Sequence, residues 1–322
     1  MSDRLLTWQG SRKLINVERS IARGALYVAE HRLRNMGKWW ISMLSFGIGN
    51  PVLFLLSVGV GIGALVNKNN GGIDGVDYLV FLAPALLSTA AIQATMDETM
   101  FPVLSGFVWD KIFFAMNATQ LAGRSIVGGI LLAAGVRNVL TVMVYELILV
   151  LFGAVPLASI PMLTLSSVLA GFAFGSVMLM GSSFVRKDDG FFAIVGRFII
   201  TPMFMFSGTY YPLESLPVYL QWIGWLSPVW HATDLGRSLS YGHQAPTWLL
   251  VTHVAYLSAL FIVGILIATW QFDRNPRWGQ AGRNGCAAAF RSCPAGGRAI
   301  AAWRDARAGR WCRSADRLAA GA

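Results

Sequence analysis

The sequence predicts an all-α membrane protein. It has six transmembrane helices, an N-terminal interfacial amphipathic helix, and a re-entrant helical hairpin on the outer side between spans five and six. Three observations lead there. Of 322 residues, 55% are hydrophobic and only 13% charged, against about 25% charged in an ordinary soluble domain. Mean hydropathy is +0.55, more apolar surface than one water-soluble core hides, so the excess must face lipid. The 26 Lys and Arg crowd toward the ends: eight in residues 1–38, ten in 273–322, and eight in the 234 between. Basic flanks around an apolar body are the mark of a membrane protein. A nucleic-acid binder would carry its charge on a folded face, so nucleic acid is not an expected partner.

Charge-free stretches set the spans, since about 20 apolar residues cross the hydrocarbon core. They fall at about 39–66, 78–96, 126–153, 162–185, 191–211 and 248–272. Pro51, with Gly47, Gly49 and Asn50, predicts a kink in the first. Before it, residues 1–38 form a cytoplasmic arm. In that arm Val17, Ile21, Ala25, Val28, Ala29, Leu33 and Met36 share one half of a helical wheel. Arg19, Arg23, Glu30, His31, Arg34 and Lys38 share the other, with Glu18 and Arg32 out of place. This pattern predicts a helix lying in the inner interface and touching membrane lipids. With no apolar run before Trp39, no cleavable signal peptide is expected.

Lysine and arginine counts orient the spans. With both termini inside, inner segments carry 22 basic residues and outer segments two, Lys68 and Arg237; Arg137 and Arg197 lie within helices. Residues 273–322 form a cytoplasmic tail. From Gly279 on, 29 of its 44 residues are Ala, Arg or Gly, no apolar period survives, and disorder is expected. The three cysteines all lie in that tail at non-zinc spacings.

The outer connection Pro212–Gln244 is too apolar for a free loop and too broken by Pro212, Pro217 and Pro228 for a span. Two short helices dipping into the outer leaflet satisfy both facts, with Trp222, Trp225 and Trp230 suited to the interfacial belt.

No catalytic constellation is legible. The four histidines are scattered along the chain, and neither a phosphate-cradling loop nor a zinc motif is present. The chain is expected to bind no cofactor and not to hydrolyse ATP by itself. Two charges fall inside span three, Arg137 and Glu146. Nine residues apart, they face opposite sides about 13 Å apart along the axis, so they do not pair. Arg137, near the inner end, can snorkel; Glu146 is the better candidate for a pathway or structural polar role. The stretch Asp97–Arg124 is apolar and aromatic, with Phe101, Phe107, Trp109, Phe113 and Phe114, yet its flanks keep it out of the bilayer. Such a segment either docks on a partner or packs on its own helix ends.

The segment Phe206–Gly242 resembles the signature of type-2 ABC exporter permeases. The matching positions are Ser207, Gly208, Tyr210, Tyr211, Pro212, Leu216, Pro217, Pro228, Asp234 and Arg237, with Glu214 inside the stretch. The spacing of His231, Asp234 and Arg237 is most similar to permeases of nodulation lipooligosaccharide exporters, and also to daunorubicin-type drug-resistance permeases. FLAP at Phe81–Pro84 fits the family's second span. The resemblance covers about residues 17–272. The loop after span two lacks the family's usual Arg and Glu run, and the tail after Trp278 has no counterpart.

The resemblance implies a homodimer or heterodimer of permeases in a bacterial cytoplasmic (inner) membrane. A separate ATP-binding cassette subunit would carry ATP and magnesium and dock on a coupling helix within Glu98–Gln120. The cargo would be a drug, lipid or glycolipid moving outward. The alternative class is an ion-coupled secondary transporter, which calls for inverted repeats and paired intramembrane carboxylates. Only Glu146 lies deep in a span, and no repeat is visible.

Overall fold

The computed structural model describes residues 23–110, 112–117, 121–185, 190–243 and 245–291. Every long element is a helix; among the described residues the extended pairing is a single bridge between Ile73 and Val76. Five helical segments are long and apolar enough to cross a membrane: Val52–Asn69, Tyr78–Val108, Gly123–Leu151, Leu157–Phe184 and Thr247–Arg274. A shorter apolar helix spans Phe191–Phe206. The chain divides into two units, Met1–Asp273 and Arg274–Ala322.

The arm helix α1 (Gly24–Met36) buries Val28 and Ala29, two members of the expected apolar stripe. Residues 17–22 of that stripe lie outside the described residues. Its partner is a neighbouring helix. α7 (Gly123–Leu151) runs alongside, with Ser125 against Gly24 and Gly129 against Ala25 and Val28. A side chain at Gly129 would collide with Val28, so glycine sets this close approach.

The first span comprises α2 (Trp40–Phe54), a π-helical stretch (Leu55–Ile62) and α3 (Gly63–Asn70). The irregularity lies just beyond Pro51, where Gly59 takes Leu79 of the next span against its backbone. α4 (Tyr78–Thr99) is longer than its charge boundary predicted. It passes through Asp97 and Glu98, turns at Met100, and continues as α5 (Phe101–Val108). Two carboxylates do not end it because Arg137 of α7 pairs with both, at 2.7 Å from Asp97 and 2.7 Å from Glu98.

A short α6 (Ile112–Asn117) follows. α8 (Ile160–Phe184) packs on α4, where Thr95 donates to the Gly171 carbonyl at 2.8 Å. α9 (Phe191–Val195), a π turn (Gly196–Ile200) and α10 (Thr201–Phe206) form the shorter apolar helix, which stops five residues before the predicted end of span five.

The connection that follows is the pair of short helices the prolines predicted, α11 (Val218–Leu226) and α12 (Pro228–Ser240). Pro217 caps α11 and Pro228 opens α12, the positions where a missing N–H costs nothing. The last helix, α13 (Thr247–Arg291), runs past Gly279. Residues 292–322 of the tail lie outside the described residues.

Candidate functional site: two buried polar clusters

Opposite ends of the bundle each carry a buried polar cluster. At the end marked by α1, Arg137 forks between Asp97 and Glu98. Glu98 is 6% exposed, and only a hydrogen-bonded ion pair is tolerable there. Arg137 therefore does not snorkel; it ties α7 to α4. From α1, Arg32 adds a second cation near Glu98, and that carboxylate opposes the downward pull of burial on the guanidinium. The Arg32 guanidinium also sits over the Phe113 ring, 5.6 Å from its centroid.

The aromatic residues singled out between spans two and three separate into two sets. Phe107 and Phe113 are buried, their ring centroids 4.8 Å apart, and both pack on Phe272 of α13 at 4.8 and 5.3 Å. These two close the chain's own core with Ile126, Val127 and Ile130. Phe101 and Trp109 stay 50% and 54% exposed. The Phe114 side chain, Lys111 and residues 118–120 lie outside the described residues.

The second cluster lies under the hairpin. α12 repeats polar residues every third position, and His231, Asp234 and Arg237 fall along one side of it. Arg237 is 4% exposed and lies flat over Phe81, 3.7 Å from the ring centroid. It donates to the carbonyls of Gly208 at 2.9 Å, Thr209 at 3.3 Å and Phe81 at 3.4 Å. Burial lowers its pKa to about 10, so the cation persists at neutral pH.

Gly208 takes φ +68, a conformation other residues rarely adopt, and this turns its carbonyl toward Arg237. Ser207 donates to the Met203 carbonyl and pairs with Ser227 at 2.9 Å, while Ser227 caps α12 by accepting from the Val229 amide at 3.2 Å. The carbonyl of Pro212 accepts from Ser215, and Glu214 stands exposed on that turn. The recurring serine, glycine, proline and arginine thus fix one backbone shape.

His231 and Asp234 meet a residue the sequence reading left aside, His253 of α13. Asp234 Oδ2 is 2.9 Å from His253 Nε2, the two histidines are 2.7 Å apart at Nδ1, and His231 Nε2 lies 2.9 Å from the Trp225 carbonyl. Two of the four scattered histidines, His231 and His253, lie on consecutive helices 22 residues apart in sequence and in contact in space. The one signal available was a lone histidine inside an apolar span. Glu146 is apart from this relay, 3% exposed, with both carboxyl oxygens within 2.9 Å of the Thr164 hydroxyl. It does not approach Arg137, as their spacing predicted.

Comparison with known proteins agrees with this arrangement. Residues 31–241 match the family described as ABC-2 type transporter. The chain belongs to that family. It is 30% identical over 248 residues to Nodulation protein J of Rhizobium leguminosarum bv. viciae, covering 73% of this chain and 90% of the relative. It is 27% identical to Nodulation protein J of R. leguminosarum bv. trifolii, covering 73% and 88%. It is 24% identical to the inner membrane transport permease YadH of Escherichia coli, covering 70% and 87%. The chain is a multi-pass membrane permease of ABC type, a transmembrane subunit.

Proposed function

We propose that this permease forms the export pathway of an ATP-driven transporter, as one of two identical or related permease subunits. Each docks a separate ATP-binding cassette subunit, which holds ATP and magnesium. Family membership is the observation that carries this reading. The distribution of basic residues supports both termini inside, with the α1 end cytoplasmic and the hairpin end outward. The shorter helix Phe191–Phe206 would then serve as the sixth crossing, and an inner bacterial membrane agrees with the YadH relative. α1 braces the same cytoplasmic end. An amphiphilic cargo fits, and the resemblance of Phe206–Gly242 to lipooligosaccharide-exporter permeases favours a lipid-linked oligosaccharide over a drug.

Docking of the ATPase falls on the exposed aromatics Phe101 and Trp109. Phe107 and Phe113 act from behind by shaping α5 and α6. An anchor aromatic at an interface is worth about 2 kcal/mol, roughly 30-fold in affinity. Trp109→Ala should therefore lose ATPase in pull-downs by about that factor while keeping the wild-type thermal midpoint. Phe113→Ala should instead lower the midpoint. The proposal fails if Trp109→Ala and Phe101→Ala both bind the ATPase and export as well as wild type. Cysteines introduced near Asn69 and Ser240 should label from outside and one at Asp188, outside the described residues, should not; the reverse would overturn the orientation.

A further inference from the structure

The relay between α12 and α13 contains more hydrogen-bond contacts than its neutral groups have protons. His231 and His253 are 5% and 0% exposed. Trp230 stands edge-on to both rings, and Tyr256 stacks on His231 at 4.1 Å. Three contacts link the cluster: the Trp225 carbonyl to His231, His231 to His253, and His253 to Asp234. Each needs one proton between its two heavy atoms.

A carbonyl only accepts, so His231 carries its proton on Nε2. A neutral His231 then offers a lone pair at Nδ1, and the middle proton belongs to His253 Nδ1. The third contact needs one more proton, on His253 Nε2 or on Asp234. Two neutral imidazoles and an ionised carboxylate supply two protons, not three. With only two, a pair of lone pairs would face each other across less than 3 Å beside buried histidines.

The surroundings say where the extra proton sits. Burial, then the neighbouring His253, pushes His231 down to about 4, keeping it neutral. Burial raises the Asp234 carboxyl, but His253, His243 and Arg237 more than offset this and hold it below its ordinary value. The other titratable groups close by are Tyr256 on α13 and, across the outer loop, Asp74. Asp74 is engaged by His243 at 3.4 Å and by the Tyr241 hydroxyl at 3.4 Å.

We propose that the relay stores one proton on His253, and that this proton latches the hairpin helices α11 and α12 to the final span α13. With it, all three contacts are made and the cluster of Asp234, His253 and His231 is electrically neutral. Without it, one contact among the three helices is lost. His253 is then a positioning residue for the outward opening of the hairpin, a role that rests on the export function proposed above; the latch itself does not. The latched form holds one proton more than the released form, so it weakens as pH rises, by at most about tenfold per pH unit.

Asp234→Asn separates this from a merely structural role. Its amide can donate to His253 Nε2, so every contact is satisfied by neutral groups with no stored proton. The experiment compares wild type, Asp234→Asn and His253→Gln as purified full-length transporter in nanodiscs, reading the thermal midpoint by tryptophan fluorescence from about pH 6 to about pH 9. The wild-type midpoint should fall with pH relative to Asp234→Asn, whose relay does not titrate. His253→Gln, which can replace only part of the relay, should start lower and show no relay-dependent fall.

A wild-type and Asp234→Asn difference that stays constant with pH overturns the stored proton. ATP-driven transport of a fluorescent lipid-linked oligosaccharide by the same variants in sealed proteoliposomes should respond to the pH on the hairpin side in wild type and not in Asp234→Asn. If the midpoints behave as expected but export responds identically in both, the link between latch and transport is wrong. Loss of ATP-driven export in every variant and in wild type would instead overturn the proposed function.

Discussion

The two buried polar clusters solve the same problem with different chemistry. At the α1 end, a guanidinium faces two carboxylates on a neighbouring span. At the hairpin end, a guanidinium faces carbonyls and an aromatic ring, while the nearby carboxylate is given to an imidazole. The first is a fork of opposite charges in which one guanidinium is shared by two carboxylates and ties α4 to α7. The second separates two tasks: Arg237 fixes the backbone of the hairpin turn, and the histidine relay joins the hairpin to α13. On the proposed export function, a rigid joint serves the end that takes force and a releasable one the end that discharges cargo.

The largest expected effect tests the rigid joint. Arg137→Ala removes the cation hydrogen-bonded to both Glu98 and Asp97, and breaking a buried pair costs about 3–5 kcal/mol. The expected result is loss of folded protein from the membrane fraction. Asp97 is 39% exposed at its side chain and Glu98 8%, so water screens the first better. Adding Glu98→Gln to Arg137→Ala should recover more midpoint than adding Asp97→Asn, and equal recovery would break the asymmetry described here.

Next comes the fixed half of the hairpin cluster. Arg237→Lys keeps the charge but loses the planar face over Phe81 and the fork onto Gly208 and Thr209. The expected cost is about 1–3 kcal/mol, read as a lower midpoint with the relay's pH response intact. If the pH response disappears as well, Arg237 and the relay are one device rather than two.

These effects show what a linear reading reaches. His231, Asp234 and Arg237 stand out because they match the family's signature within one short, contiguous segment. Their partners do not: His253 is 22 residues from His231, and Phe81 is 156 residues from Arg237. Likewise a run of charge at Asp97 reads as the end of a span, because the cation that keeps the helix going lies 40 residues away. The aromatic stretch after span two reads as docking surface ahead of core, and burial divides it, with Phe113 inside and Trp109 outside.

The smallest expected effect falls on Glu146. Its carboxyl meets a single hydroxyl, Thr164, so Glu146→Gln keeps an acceptor and should shift the midpoint by less than about 1 kcal/mol. It should alter the concentration of cargo needed for half-maximal ATPase stimulation if the side chain borders the pathway. Unchanged stimulation would leave Glu146 a structural group of the α7–α8 contact and make the two described clusters the whole of the polar machinery named here.

By itself the sequence determined that this chain is helical and lies in a membrane, because hydropathy and charge act residue by residue and need no partner. It also determined the prolines and glycine of the hairpin, because backbone dihedrals are local. Only the tertiary structure decided which charges are paired, which aromatics are used up in the core, and which two histidines meet. Those are properties of pairs, and a pair in a bundle is chosen by how helices pack against one another rather than by distance along the chain.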